Sequence, residues 1–392
     1  MPSNTALLLT LDVQTGDSQL IDVGQFGAVS IAPDAEHVAY QDAGRIMKVA
    51  DRARRVTPLD RSGGCSGAAI WLSNSALVYC ISNAGDSGYM LSHDRESAPR
   101  FIGAQPVVSS DGSQVSYVDA RGDLVVEGID GRDHRVLVPS VDPSAMFHFR
   151  YALEYTPDDR AVLVYDNATY PAKLHVVAIA DGASMTVDDV APATSSHGPN
   201  VFYGASRFSP DGSEIVMQSS TALVAVHLVT GAKRILAAFA DRMSSGGAVF
   251  LDASHVLWVR LEDRSVDDMG RFASSLHVAG PSVEDDRTLD VSPGENNFAR
   301  AVGISPQGFV AWSGGAAVMV KTDGTVLVEN DHSSLATGID EILGVTPDGR
   351  GIVALTYGNV VRYIGSDGAS RDLAVVESGA GTVVGPYAAY AP

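Results

Sequence analysis

The sequence predicts an all-β chain of repeated four-stranded sheets, and three observations carry that prediction. The stretch Arg207–Met217 (RFSPDGSEIVM) reads as a strand, a tight turn and a second strand. Proline presets φ at the first corner of the turn, aspartate bonds its own backbone, and glycine accepts positive φ. Pro210-Asp211-Gly212 is therefore a hairpin signal with a mechanism. The same template recurs along the chain. Finally, 39 glycines and 18 prolines in 392 residues suit many short strands with frequent turns, and no amphipathic helix longer than a few turns is visible.

The apolar residue just before each turn anchors its copy. Ile31, Val108, Tyr155, Phe208, Ile304 and Val345 precede turns of the Pro-Asp-Gly type, while Trp71 and Phe250 precede turns one residue shorter. Steps between the eight anchors are 40, 37, 47, 53, 42, 54 and 41 residues, the period of propeller blades with four strands each. Thr221–Gly231 and Thr5–Gly16 are near-copies of each other and read as a third strand running into a turn before a fourth. Eight anchors predict an eight-bladed β-propeller; the terminal pieces leave room for nine blades, and a spurious anchor would leave seven. Residues 1–26 supply a hairpin with no anchor before it. Met1 to Val23 is thus expected to pair with the apolar stretch Gly381–Tyr387, closing the ring and removing open sheet edges. A closed ring of repeats is one unit of any size, so residues 1–392 are read as a single domain.

Ser-Pro-Asp-Gly followed by a polar residue and an apolar triplet, as in Ser209–Met217, resembles the repeat of TolB-like (WD40-like, PD40) β-propellers. The resemblance covers most of the chain and implies the fold. It does not choose a function, because binding proteins, lectins, lyases and hydrolase gates share this architecture. TolB-like relatives are often periplasmic. The resemblance thus implies a periplasmic or secreted protein if a leader was removed, against a cytoplasmic one if the chain is complete.

Composition narrows the partners. Acidic residues outnumber basic ones 47 to 27, a formal net charge of −20, and such a surface repels phosphate backbones. Nucleic acid is therefore not an expected partner. No run of 18 apolar residues exists, so membrane insertion by a helix is not expected, and Leu7-Leu8-Leu9 is too short for a signal peptide. Cys65 and Cys80 flank the Ser73-Asn74-Ser75 turn about three residues out of register. A disulfide there needs an offset, and two free buried thiols are an equal alternative.

In propellers generally, the innermost strand begins at the top face and meets the second strand at the bottom. The Pro-Asp-Gly turns therefore lie at the bottom, and the segments leading into each first strand, or joining second to third, lie on top. The long ones are Pro139–Tyr151, Ala191–Ala205, Arg260–Ser275, Ser282–Arg300 and the stretch holding His332, Asp340 and Glu341. All belong to blades four to eight, which favours a ligand site on one side of the top face, since long loops on a rigid scaffold carry function. Candidate ligand-binding residues there are His148, Arg150, Tyr151, His197, Tyr203, Asn297, Arg300, Asp340 and Glu341. Arg150 and Arg300 suit a carboxylate, which a guanidinium grips with two parallel bonds. Phe147, Phe149, Tyr151, Phe202, Tyr203 and Phe298 either make an aromatic platform or pack between blades.

Familiar catalytic motifs are missing. Gly64-Cys65-Ser66-Gly67-Ala68 fails the nucleophile-elbow pattern at its last position, and neither a P-loop nor a dinucleotide fingerprint is present. The acidic clusters Glu262-Asp263, Asp267-Asp268 and Glu284-Asp285-Asp286 lack the spacing of a Ca²⁺ loop and read as solvated loops. The leading reading is a non-catalytic scaffold without a cofactor, using the top-face loops of blades four to eight to bind a peptide, protein or glycan. The alternative is a metal-assisted lyase or hydrolase acting on an acidic saccharide or small ester. His148, His197 and His332 would then hold one divalent ion in the central channel, as the resemblance to oligogalacturonate lyases implies. A third reading is a structural interaction module within a larger assembly.

Overall fold

The structure, a computed structural model, describes residues 6–11, 18–24, 26–32, 36–61, 69–83, 86–92, 99–140, 150–166, 173–187, 208–218, 221–239, 243–263, 272–289, 300–304, 309–313, 317–321, 325–330, 339–346, 350–356 and 360–375. It is all-β, apart from a single 3₁₀ turn among these residues. The chain divides into two compact units. The first comprises Met1–Ala168, His175–Ser184 and Val376–Pro392, the second Thr169–Leu174 and Met185–Val375.

The first unit opens with the expected hairpin, β1 (Ala6–Leu11) against β2 (Ser18–Gly24). A four-stranded antiparallel sheet follows: β3 (Phe26–Ile31), β4 (His37–Asp42), β5 (Ile46–Asp51) and β6 (Val56–Arg61). Next comes a seven-stranded sheet of β7 (Ile70–Trp71), β8 (Leu77–Asn83), β9 (Asp86–Ser92), β10 (Arg100–Val108), β11 (Gln114–Val118), β12 (Leu124–Gly128) and β13 (Arg135–Val138). The sheet of β14 (Arg150–Tyr155), β15 (Ala161–Asp166), β16 (Lys173–Ala178) and β17 (Ser184–Val187) begins in this unit.

The second unit holds β18 (Glu214–Gln218), β19 (Ala222–His227) and β20 (Lys233–Ala238), with Phe208 bridging to Ile215 where a first strand belongs. Three four-stranded sheets follow. They are β21 (Met243–Phe250), β22 (Val256–Asp263), β23 (Phe272–Ala279) and β24 (Arg287–Thr288); β25 (Arg300–Ile304), β26 (Phe309–Ser313), β27 (Ala317–Lys321) and β28 (Val326–Asn330); and β29 (Ile339–Val345), β30 (Gly351–Thr356), β31 (Val360–Gly365) and β32 (Ser370–Val375).

Seven of the eight anchors are the last residue of a first strand, and the eighth, Phe208, is the bridge residue. The fold is a β-propeller of seven blades, within the range the repeat allows. Eight anchors occupy seven sheets because Trp71 and Val108 share one. Strand β10 pairs with β9 through Arg100–Gly103 and with β11 through Ala104–Val108, so it is the fourth strand of one repeat and the first of the next. The change of partner falls at Gly103, whose φ of 112° suits glycine and whose missing Cβ lets the Val118 carbonyl approach. Closure through Gly381–Tyr387 lies outside the described residues. Cys80, in β8, is disulfide-bonded, which removes the free-thiol alternative; Cys65 also lies outside the described residues.

Packing follows the period of two along each strand. In β11 and β12, Val115, Tyr117 and Val125 pack with Leu72, Val78 and Leu91, while Val118, Leu124 and Val126 pack with Tyr155, Val162 and Val177. Each interior sheet thus serves two cores, which is why strands such as β19 and β30 are apolar almost throughout.

The bottom turns are held by one side-chain device. The buried Ser209 hydroxyl donates to Asp211 Oδ1 at 2.6 Å and accepts the Glu214 N–H at 2.9 Å, while Asp211 Oδ1 accepts the Ser213 N–H at 3.0 Å. Ser109 with Asp111 and Thr156 with Asp158 repeat it at 2.7 and 2.8 Å. The shorter turns keep the acceptor and drop the relay: Asp252 Oδ1 takes the N–H groups of Ser254 and His255, each at 2.7 Å. Neighbouring turns also meet, the Ser110 N–H and hydroxyl donating to Asp159 at 2.7 and 2.6 Å.

Replacing Ser209 by alanine removes the relay and orphans the Glu214 N–H, so Ser209→Ala should cost about 1–2 kcal/mol. Thermal unfolding followed by circular dichroism reads this as a few degrees lost. Hydrogen bonds from Ser209 and Ser113-type donors hold Asp211 and Asp111 below the usual carboxylate range. Their contribution is complete above the unfolded value near pH ~4 and is lost as pH falls through the lowered folded values. The acid limb of stability should therefore be shallower in Asp211→Asn than in the parent protein.

Candidate functional site

The structure places part of the expected top-face set. His148, His197, Tyr203, Asn297 and His332 lie outside the described residues, as do the aromatics Phe147, Phe149, Phe202 and Phe298. Arg150 and Tyr151 open β14, where they pair in register with Asp166 and Tyr165. Arg300 opens β25, and Asp340 and Glu341 are the second and third residues of β29. Strand β25 lies against β29, and β21 against β25, so these first strands are neighbours within the second unit. The expected blade-six connection, Arg260–Ser275, is shorter than the sequence suggests. Strands β22 and β23 run to Asp263 and from Phe272, pairing Asp263 with Phe272 and Arg260 with Ser275. Among the described residues no group of three or more His, Cys, Asp or Glu side chains is arranged to hold a metal.

What the structure does bring together lies in the blade of β21–β24. Pairing of β22 with β23 sets Trp258 opposite His277, and Ser275 lies two residues back on the same face as His277. After β23 the chain turns through Val283–Asp285. That turn is tied off by Asp285, whose Oδ2 accepts the Ser282 hydroxyl at 2.8 Å and the Ser282 N–H at 2.9 Å. These bonds, with the nearby His255, hold the Asp285 carboxyl below its usual range. The turn returns Asp286 over the β22–β23 face. There Trp258 Nε1–H donates to Asp286 Oδ1 at 3.0 Å, His277 Nδ1 lies 3.1 Å from Asp286 Oδ2, and His277 Nε2 lies 2.8 Å from Ser275 Oγ. The indole and imidazole rings are 4.9 Å apart at 40°. Trp258 and His277 are 1% and 3% exposed, so the relay joins two dry rings to the half-buried Asp286 and Ser275.

Next to the relay, where the β21–β22 turn meets the β23–β24 connection, an open cleft of about 510 Å³ is lined by Asp252, His255, Val278, Gly280, Pro281, Asp285 and Arg287. Burial works to raise the Asp252 carboxyl, but the N–H groups of Ser254 and His255 and the His255 ring outweigh it and hold it low. Arg234 of β20 closes one side by donating to the Ser254 and Gly280 carbonyls at 3.2 and 3.1 Å, with Glu214 on its other nitrogen at 2.5 Å. Both carboxylates are thus occupied by local donors.

Sequence reasoning missed the relay. Asp286 sat in a cluster read as a solvated loop, and the Ser-x-His alternation of Ser275 and His277 carries no motif on its own. Trp258 was legible only as an apolar residue after an anchor.

No protein-family model matches the chain, and no curated protein matches its sequence. Solved structures do resemble it. The eukaryotic initiation factor is 9% identical, with 94% of this chain and 96% of that chain covered and a TM-score of 0.54. Dipeptidyl peptidase 4 of Porphyromonas gingivalis is 11% identical, with 90% and 59% covered and a TM-score of 0.53. TolB from Acinetobacter baumannii is 15% identical, with 79% and 86% covered and a TM-score of 0.34. At such identities the likeness is one of fold, and function has to come from the site.

Asp286 is the hub of the relay, and its loss leaves the buried Trp258 and His277 N–H donors unpaired. Asp286→Ala should destabilise by about 2–6 kcal/mol, at 1–3 kcal/mol for each orphaned donor. Urea denaturation measures this, with an unchanged slope showing that the fold is kept.

Proposed function

We propose that the protein is a binding module that takes a peptide, protein or glycan at the ends of the blades where the first strands begin. The observation that supports this most directly is the contact of β25 with β29, which makes neighbours of the strands opened by Arg300 and by Asp340 and Glu341. First strands of a propeller run in the same sense, so both sets stand at the same end. Connections of ten and eight residues, 290–299 and 331–338, lead into these two strands. An arginine on one strand and an aspartate and a glutamate on its neighbour are residue types that suit a ligand carrying both an acid and a hydroxyl or amine, as peptides and uronic-acid glycans do.

The test is binding of the full-length protein to peptide and glycan arrays, with affinities then measured for each hit. Arg300→Ala and the pair Asp340→Ala, Glu341→Ala should each weaken the hits by roughly tenfold or more, the scale of one lost charged contact. Hits that keep their affinity in both variants, or arrays without hits, would overturn the proposal.

A further inference from the structure

We propose that Ser275 is an acyl-accepting nucleophile, with His277 as its base and Asp286 as the residue that orients the base, so that the β21–β24 blade carries an ester-cleaving site. The inference rests on that blade alone and is independent of the binding reading above.

The connectivity is that of a hydrolytic relay. Ser275 Oγ lies 2.8 Å from His277 Nε2, and His277 Nδ1 lies 3.1 Å from Asp286 Oδ2. A carboxylate on Nδ1 fixes the tautomer: Nδ1 carries the proton, and Nε2 is left with a lone pair facing the serine hydroxyl. The other Asp286 oxygen is held by Trp258 Nε1 at 3.0 Å, so the orienting carboxylate cannot swing away.

Burial runs in the direction such a site needs. His277 is 3% exposed, whereas Ser275 is only half-buried and lies one row nearer the 264–271 connection. The dry base is therefore linked to a more exposed nucleophile. Tying the 3₁₀ turn onto the sheet requires Asp286, His277 and Trp258 but not Ser275, which lies on the strand itself. Arg260 is the cross-strand partner of Ser275.

The step balances with water as the only co-reactant. Ser275 Oγ bonds to the ester carbonyl carbon as its proton passes to His277 Nε2. The carbon–oxygen bond to the leaving alcohol then breaks, and that oxygen takes the proton from Nε2. Water, deprotonated by the same nitrogen, releases the acid and restores the serine.

The test uses the full chain, a fluorophosphonate probe with peptide mapping, and 4-nitrophenyl acetate as substrate. The expected result is one adduct, on Ser275, and ester turnover that is lost in Ser275→Ala. His277→Gln should slow labelling by roughly 100-fold or more, the scale of a general base. Circular dichroism confirms that each variant is folded. A folded parent protein that leaves Ser275 unlabelled, or labelling that is equally fast in His277→Gln, overturns the proposal and leaves the relay as a structural staple. If His277→Gln does not fold, Ser275→Ala decides: unchanged turnover in that variant overturns the proposal equally.

Discussion

The blades that carry it depend on the hydroxyl–carboxylate clamp in the turn of the first hairpin, shown at Ser109, Thr156 and Ser209. A first hairpin is only as well registered as its turn, and a slip of one residue would exchange every side chain between the two cores that a blade serves. The Ser209–Asp211 clamp prevents that slip by satisfying the N–H groups of Ser213 and Glu214 at once. Its copies at Ser109 and Thr156 impose the same geometry on other blades. The Ser110–Asp159 contact then links one clamped turn to the next, so local turn chemistry also sets the spacing of adjacent sheets.

Given registered blades, packing needs little further instruction. In β12, Val125 faces one core and Leu124 and Val126 the other, so both sets are apolar and the strand does not alternate in polarity there. The exception is informative. Where β10 runs on unbroken through Gly103, two repeats merge into one sheet, and the twist that would separate them is absorbed at a residue free to adopt positive φ.

The anchors were legible in the sequence because turn chemistry is local: four or five adjacent residues carry the whole signal, and Ile31, Trp71, Val108 and Tyr155 end strands as that signal requires. The merger at Gly103 was not legible, since nothing in Phe101-Ile102-Gly103-Ala104 distinguishes a continued strand from a bend between two. Of the expected site, Arg150 and Arg300 open first strands and Asp340 and Glu341 follow the opening residue of another, because long segments before an anchor locate strand beginnings. The relay of Trp258, Ser275, His277 and Asp286 was invisible for the opposite reason. Cross-strand register joins Trp258 to His277 over a separation no motif spans, and Asp286 arrives only because Asp285 ties off its turn.

The β21–β24 blade shows how one carboxylate can serve structure and chemistry together. Asp286 is fixed from two sides, by the indole N–H and by the imidazole, and the turn that carries it is fixed by Ser282. A side chain constrained so fully has little entropy left to lose when charge develops on its partner, which is what preorganisation means in energetic terms. The same constraint explains why the buried imidazole is tolerated: each of its nitrogens has a polar neighbour, and its ring lies against Trp258 rather than water. A staple and a base have identical requirements up to His277. They part only at Ser275, the half-buried hydroxyl that the staple does not use, and the chemistry of that one atom separates the two roles.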